Sequence, residues 1–241
     1  MFKIHNVGEG LGDCFFIEIG EVDEHYVIMI DGRTKKDYSY IKEKLKQFKK
    51  VDYLIITHCD DDHLAGVIEC MRDNSIKDKF ADTVIVYNFV TKTVINYKTA
   101  CVFEKLKKSN NIVSSVRYSY NEYNRENFKM LSLEKRYKFP ITNDSCVYLT
   151  FLFPNFEGIF NVRKDYEQKR AVGNYTPKKD IVNYNSIVFL IEYKGKKALF
   201  MGDNSINNIK IIIRDLKNIN EFNIDGRFKI DFKKDEVIEM E

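Results

Sequence analysis

Residues 57–63 constrain this 241-residue chain more than any other part of its sequence. They place two imidazoles and three carboxylates within six consecutive positions, directly after the apolar run Tyr53–Ile56. A short apolar run bounded by polar residues predicts a buried strand, and side chains that follow such a strand point into the crevice at its carboxyl edge. Like charges so close together are costly to bury unless a cation compensates them. The stretch therefore predicts a divalent metal site.

The spacing within this stretch predicts how the ligands would be shared. His58 and Asp60 are two positions apart, so on an extended segment their side chains face the same way and could share one ion. Asp62 and His63 begin the following helix and could hold a second ion. Imidazole and carboxylate ligands suit Zn²⁺, Mn²⁺ or iron, and the additional carboxylate shifts the preference towards harder ions such as Mn²⁺. Cys59 alternates away from these side chains, which favours a packed thiol over a ligand.

Apolar periodicity and turn residues predict the remaining elements. Strands are expected at 2–7, 14–19, 26–30, 53–56, 83–87, 146–153, 186–192, 197–201 and 227–232, and helices at 38–48, 64–71, 94–107 and 205–216. Each half of the chain runs from strands into an acid-bearing loop and then a helix. Two such halves suggest two sheets packed face to face, with helices outside and both acidic loops at a shared edge. We expect a single domain over 1–241, with a surface insertion near 109–145.

Composition excludes several classes of protein. The formal net charge of +3 is too balanced to indicate nucleic-acid binding by itself. No run of about 18 apolar residues is present, so we expect no membrane span, and the first residues lack the apolar core of a signal peptide. Five cysteines without paired spacing favour reduced thiols and a cytoplasmic location.

Four motifs, in order, resemble those of the metallo-β-lactamase superfamily. They are Val7-Gly8-x-Gly10 with Asp13, Ile30-Asp31-Gly32, the loop His58-x-Asp60-x-Asp62-His63, and Asn185-Ser186 leading to Gly202-Asp203. An Asp replaces the middle His of the family loop, which makes the pattern most similar to the soluble hydrolase domain of bacterial competence (DNA-uptake) proteins. The resemblance covers residues 1 to about 205. It implies a four-layer αββα sandwich with one or two divalent metal ions, zinc or manganese, at the sheet edge.

The resemblance also implies roles for single residues. Asp203 would bridge the metal ions, and Asp62 would serve catalysis as well as coordination. Asp13 and Asp31 would hold the metal loop by hydrogen bonds. Asn185 and Ser186 would either orient that loop or simply end a strand. Arg33 stands where the family has a glycine, which leaves room for a contact with an anionic substrate.

The activity implied is hydrolysis of phosphodiester or nucleic-acid substrates by a metal-activated water. Hydrolysis of a small ester, lactone or amide by the same site is a first alternative. No histidine follows His63, so the mid-chain and final His ligands of the family are missing. Either the chain stops before a final His motif or the second metal site has lapsed. A second alternative is therefore a catalytically impaired scaffold subunit, with a protein partner in a DNA-handling or phage-defence system.

Overall fold

The computed structural model describes most of the chain outside two long central segments. The described residues are 1–8, 10–20, 25–87, 99, 102, 103, 105, 106, 139–143, 146–154, 164, 168, 171, 172, 179–218 and 237–239. The predicted insertion near 109–145 and most of the predicted helix at 94–107 lie outside these residues.

Six strands form the first sheet. They are β1 (Phe2–Asn6), β2 (Phe15–Gly20), β3 (His25–Ile30), β4 (Tyr53–Ile56), β5 (Val84–Tyr87) and β10 (Val237–Glu239). Their spatial order is β10-β1-β2-β3-β4-β5. The three pairs β10–β1, β1–β2 and β2–β3 are antiparallel, whereas β3–β4 and β4–β5 are parallel. Parallel neighbours need a crossover, and helices α1 (Tyr38–Lys46) and α2 (Asp61–Arg72) provide the two required here.

Four strands form the second sheet, which is entirely antiparallel. They are β6 (Phe139–Pro140), β7 (Val147–Phe153), β8 (Val188–Tyr193) and β9 (Lys196–Phe200), in chain order across the sheet. The short helix α3 (Lys179–Asn183) precedes β8, and α4 (Ile206–Asn218) follows β9. Lys194 and Gly195 make the tight turn of the β8–β9 hairpin and both have positive φ, at 47° and 78°.

Strand alternation lets the first sheet serve two cores at once. On β3, Val27 and Met29 pack on the side of α1 and α2, whereas Ile28 and Ile30 face the second sheet. A third apolar layer lies between the second sheet and α4, where Leu190 of β8 and Ile212 of α4 belong to one buried cluster. The order of layers is therefore helix, sheet, sheet, helix, and the predicted αββα sandwich is confirmed.

The observed bounds differ from the predicted ones where the chain changes direction. Helix α2 begins at Asp61, so His63 lies inside its first turn and not before it. The extended Asp60 precedes the helix, and Asp61 and Asp62 occupy the first turn, where carboxylates favour the positive end of the helix dipole. Strand β10 is unpredicted, and the strand expected near 227–232 lies outside the described residues. Among the helices that the structure describes, none has the length and apolar character needed to cross a membrane.

Candidate metal centre

Asp31 lies at the centre of the candidate site, directly after β3. Its main chain adopts a left-handed conformation with φ of 53°, which an aspartate tolerates better than most residues. Its backbone N–H donates to the carbonyl of Ile55 at the end of the neighbouring strand β4. The carboxylate is fully buried and accepts from the backbone N–H of Thr57 at 2.7 Å, from Thr57 Oγ1 at 2.6 Å, and from Nδ1 of His63 at 2.8 Å. This geometry fixes the loop after β4 against α2.

The two histidines come from different local structures but meet at the sheet edge. His58 is in the loop that follows β4, and His63 is on the first turn of α2. Both are buried, and their ring centroids are 4.0 Å apart. Nδ1 of His58 lies 3.0 Å from Thr57 Oγ1 and 3.2 Å from Ser186 Oγ. Each ring thus uses its Nδ1 for contacts with the protein and directs Nε2 elsewhere.

Asp203 reaches the same place from the second sheet, after β9. Its Oδ1 lies 3.4 Å from His63 Nε2, and its Oδ2 lies 4.0 Å from His58 Nε2. The side chain is 37% exposed, in contrast to the two buried histidines. The sheets are joined at this edge by a backbone hydrogen bond from Ile187 N–H to the carbonyl of Thr57. The two acidic loops therefore meet at a shared edge, as the two-halves pattern predicts.

The three side chains together match the requirements of a cation site. One ligand atom from each of His58, His63 and Asp203 can be chosen so that all lie within 4.8 Å of one another. Among the described residues, Nε2 of His58 and Nε2 of His63 are buried nitrogen atoms without a hydrogen-bond partner. Buried polar groups normally have partners, and two such atoms beside one carboxylate are well matched to a metal ion.

The electrostatics differ sharply between the two rings. Burial, followed by the charge of His63, lowers the pKa of His58 to about 4. Burial also lowers the pKa of His63, but the carboxylates of Asp31 and Asp203 outweigh it and raise that pKa to about 11. In the metal-free protein at neutral pH, the ring of His58 is therefore neutral. The ring of His63 is protonated on both nitrogens and lies between two carboxylates.

Asp60 and Asp62 contribute no atom to the three-residue set. The sequence paired His58 with Asp60 and His63 with Asp62, whereas the structure pairs the two histidines with each other. Asp62 is on the first turn of α2, as His63 is, and its charge acts on His58. Their roles as ligands, and Asp62 as a catalytic group, stay predictions. Cys59 is 7% exposed and belongs to the helix-side core, as a packed thiol should.

The glycine-rich turn between β1 and β2 lies against the first turn of α2. A Cβ at Gly12 would stand 1.7 Å from the carbonyl oxygen of Asp62, so only glycine permits this approach. Asp13 follows, and its carbonyl accepts from the backbone N–H of Arg33. Burial, then the nearby charge of Asp31, raises the pKa of the Asp13 carboxyl.

The guanidinium of Arg33 is buried below the glycine turn. Its Nη1 donates to the carbonyl of Gly12 at 2.9 Å, and its Nε lies 3.5 Å from Oδ2 of Asp37. Because the side chain is only 4% exposed, it holds the turn and does not face an anionic substrate, in contrast to the contact that the sequence suggested.

The residues before β8 support the site in ways that sequence reasoning only partly anticipated. The side chain of Asn185 donates to the carbonyl of Ile181 and so closes α3. Ser186 reaches His58 directly. Asn183 and Asn204 were missed: Nδ2 of Asn183 lies 3.5 Å from Oδ2 of Asp203, and Asn204 donates to the carbonyl of Ser186. The sequence did contain a hint of both roles, because Asn183 lies close to Asn185-Ser186 and Asn204 directly follows Asp203.

Thr57 was noted only as the first residue of the metal loop. The structure gives it contacts with both Asp31 and His58. A threonine directly before a metal-type histidine, at the end of a buried strand, was the available signal.

Comparison with known protein families found a match to part of the chain. The family model described as "Metallo-beta-lactamase superfamily" matches residues 7–76, which contain the glycine turn, Asp31 and the metal loop. No curated protein sequence matches the chain.

Three similar solved structures are metallo-beta-lactamase proteins. One is the metallo-beta-lactamase SMB-1 bound to 2-mercaptoethanesulfonate, with 21% identity and a TM-score of 0.24, over 34% of this chain and 29% of that one. Another, from Cronobacter sakazakii, has 10% identity and a TM-score of 0.38 over 89% and 68% of the two chains. The third, from Thermotoga maritima, has 12% identity and a TM-score of 0.41 over 88% and 87%. The chain thus spans under a third of the first of these proteins.

Proposed function

We propose that this chain, whose residues 7–76 match the metallo-beta-lactamase superfamily model, is a hydrolase dependent on a divalent cation held by His58, His63 and Asp203. The observation that carries the proposal is the pair of buried Nε2 atoms, without hydrogen-bond partners among the described residues, that face one carboxylate. One cation between them would engage both nitrogens and the carboxylate of Asp203 together.

The donor set favours a single ion with an accessible coordination position. Two imidazoles and one carboxylate are typical of catalytic zinc sites, which leave the fourth position to water or substrate. The histidines are buried and Asp203 is 37% exposed, so the accessible side of the site is the side of Asp203. We therefore propose one ion per chain, with zinc favoured over manganese because Asp60 and Asp62 stand outside the set.

The chain's own residues divide the remaining work. When bound, the cation supplies Lewis acidity that activates water and polarises the group to be cleaved. Asp31 orients His63 through Nδ1, and the buried loop excludes solvent from the inner side of the site. Asp62, on the first turn of α2, is the residue we propose as a further catalytic group.

The substrate class that we propose is phosphodiester, in a nucleic acid or a nucleotide. Its support is the similarity of the motif pattern, with Asp60 in place of a histidine, to the hydrolase domain of competence proteins. The alternative for the same site is a small ester, lactone or amide.

Hydrolysis assays with the zinc- and manganese-loaded protein test the proposal. The substrates are bis(p-nitrophenyl) phosphate, linear DNA, p-nitrophenyl acetate and a simple lactone, each with the wild-type chain and with His63→Ala, Asp203→Asn and Asp62→Asn. Asp61→Asn is the matched control, because Asp61 belongs to the same acidic run but is exposed and outside the metal set. We expect phosphodiester cleavage that is lost in the three site variants and kept in the control.

Other outcomes distinguish the alternatives. Cleavage of the ester or lactone alone, with the same dependence on His63 and Asp203, would replace the phosphodiester substrate and keep the hydrolase. A protein that binds the cation stoichiometrically and cleaves none of these substrates would favour the scaffold subunit with a protein partner.

A further inference from the structure

Nδ1 of His58 lies between two hydroxyl groups. Thr57 Oγ1 is 3.0 Å away and Ser186 Oγ is 3.2 Å away. A hydroxyl can either donate its proton or accept one, so these distances alone leave the position of the imidazole proton undetermined. The remaining contacts of the two hydroxyls determine it.

The hydroxyl proton of Thr57 is used elsewhere. Thr57 Oγ1 lies 2.6 Å from Oδ2 of Asp31, a fully buried carboxylate that also accepts from the backbone N–H of Thr57. An ionised carboxylate can only accept, so the Thr57 hydroxyl must donate to it. Its oxygen is left as an acceptor towards His58.

The hydroxyl proton of Ser186 is used in the same way. Ser186 Oγ donates to the main-chain carbonyl of Asn183 at 2.8 Å, and a carbonyl oxygen cannot donate in return. The Ser186 oxygen is therefore also an acceptor towards His58, and both hydroxyls need a proton on Nδ1.

Gly202 closes this pocket from the side of the second sheet. A Cβ at position 202 would stand 2.9 Å from Cβ of Ser186 and 3.2 Å from Cβ of Thr57, so the glycine backbone packs directly on both. Thr57, His58 and Ser186 are each at most 1% exposed. This close cover leaves the two hydroxyls dependent on the partners described above.

We propose that Thr57 and Ser186 are positioning residues that hold the proton of His58 on Nδ1 and so direct the Nε2 lone pair at the cation. The loss of either hydroxyl lets the ring rotate or change tautomer, and a proton on Nε2 excludes coordination. The cation itself rests on the proposed function, whereas the position of the proton is a property of the metal-free chain. The role goes beyond loop support, because it selects which nitrogen is the ligand.

Nitrogen-15 NMR of the metal-free wild-type protein tests this directly, through long-range couplings that distinguish protonated from unprotonated ring nitrogens. We expect His58 to show a protonated Nδ1 and an unprotonated Nε2. The same measurement on Thr57→Val, Ser186→Ala and the double variant should show mixed tautomers or a proton on Nε2. Thr57→Ser keeps the hydroxyl and should keep the wild-type pattern, and Ser75→Ala, at an exposed position away from the site, is the control.

Zinc affinity provides the second measurement, by competition with a chromophoric chelator. Each single loss of a hydroxyl should weaken zinc binding by about 10- to 100-fold, the range found for groups that orient metal ligands. Thr57→Ser and Ser75→Ala should bind as the wild type does.

A proton on Nε2 of His58 in the metal-free wild type would overturn the inference without affecting the proposed function, since the cation could still displace it. Wild-type zinc affinity in a folded double variant would also overturn it. A wild-type chain that binds no zinc would instead contradict the proposed function, while the NMR result would still decide the tautomer.

Discussion

At the scale of single residues, His63 shows how the metal-free site balances its charges. Asp31 and Asp203 face the ring from two sides, at 2.8 Å from Nδ1 and 3.4 Å from Nε2. In the metal-free chain, a second proton makes the ring of His63 positively charged. That charge compensates the two carboxylates, as a bound cation would. The raised pKa of His63, about 11, expresses that compensation.

A cation at Nε2 must therefore displace a proton. His58 contributes none at neutral pH because its pKa is lowered to about 4, so we expect the release of about one proton per zinc bound at pH 7. Affinity should rise by about tenfold for each unit of increase in pH below the pKa of His63, because fewer protons then compete. Titration calorimetry in buffers of different ionisation enthalpy measures this number. A binding enthalpy that is the same in every buffer would contradict it.

Asp31 is the residue whose loss should affect both stability and the site. In Asp31→Asn the buried partner of His63 loses its charge, and breaking a buried pair costs about 3–5 kcal/mol. We expect a lower free energy of unfolding in urea and weaker zinc binding. Asp52→Asn is the matched control, since Asp52 is also buried and accepts from a backbone N–H, that of Val27, at the start of β4 away from the site. Asp52→Asn should lower the free energy of unfolding but leave zinc affinity unchanged. Equal zinc affinity in Asp31→Asn and the wild type would refute the role of Asp31.

Residue types and spacing predicted which side chains are near the site, but not which atoms meet. His58, His63 and Asp203 come together, as expected for a shared cation site. The bounds of α2 were harder to predict, because several aspartates in a row offer more than one possible helix start. Thr57 and Asn183 act through contacts between distant segments, which residue type alone does not reveal.

At the scale of elements, α2 is positioned by contact between main chains. The backbone N–H of Gly32 donates to the carbonyl of His63, and that of Gly66 donates to the carbonyl of Arg33. A Cβ at Gly66 would stand 1.8 Å from the carbonyl oxygen of Gly32. The helix can approach the segment after β3 this closely only because position 66 has no side chain.

Gly66→Ala should therefore destabilise the protein, although alanine normally favours a helix interior by roughly 0.5–1 kcal/mol. Overpacking costs about 1–3 kcal/mol, and moving α2 would also shift His63, so zinc affinity should fall as well. Gly195→Ala is the comparison: it places a side chain at φ of 78° with no atom within 4 Å, so it should cost about 1–2 kcal/mol of backbone strain and leave zinc binding unchanged. Urea unfolding and zinc competition measure both effects. A Gly66→Ala variant more stable than the wild type would contradict the close approach.

Most elements of the described chain were predictable because each strand has a clear apolar pattern. Strand β4 was predicted at its observed bounds, and β3 within one residue. Strand β10 was not, because three residues carry no periodicity and the strand exists by pairing with β1, more than 200 positions earlier. Propensity within a window cannot include such a partner.

At the scale of the whole molecule, the two-sided first sheet explains where the site must be. One face packs on α1 and α2 and the other on the second sheet, so both faces are used for the core. His58, His63 and Asp203 meet at the edge where β3, β4 and β9 end, outside both of these cores. The order of layers could be predicted from the sequence because it depends only on the pattern of apolar residues. The number of metal ions could not, because it depends on where the ligand side chains lie.

Metal content of the purified chain, after zinc loading and removal of unbound ion, tests the shared cation most directly. We expect about one zinc per chain in the wild type and in Asp61→Asn, and a loss of bound zinc in His58→Ala, His63→Ala and Asp203→Ala, with each variant folded by circular dichroism. Two ions per chain would contradict the three-ligand site and return Asp60 and Asp62 to the ligand set. A folded wild-type chain that retains no zinc or manganese would contradict the metal centre itself.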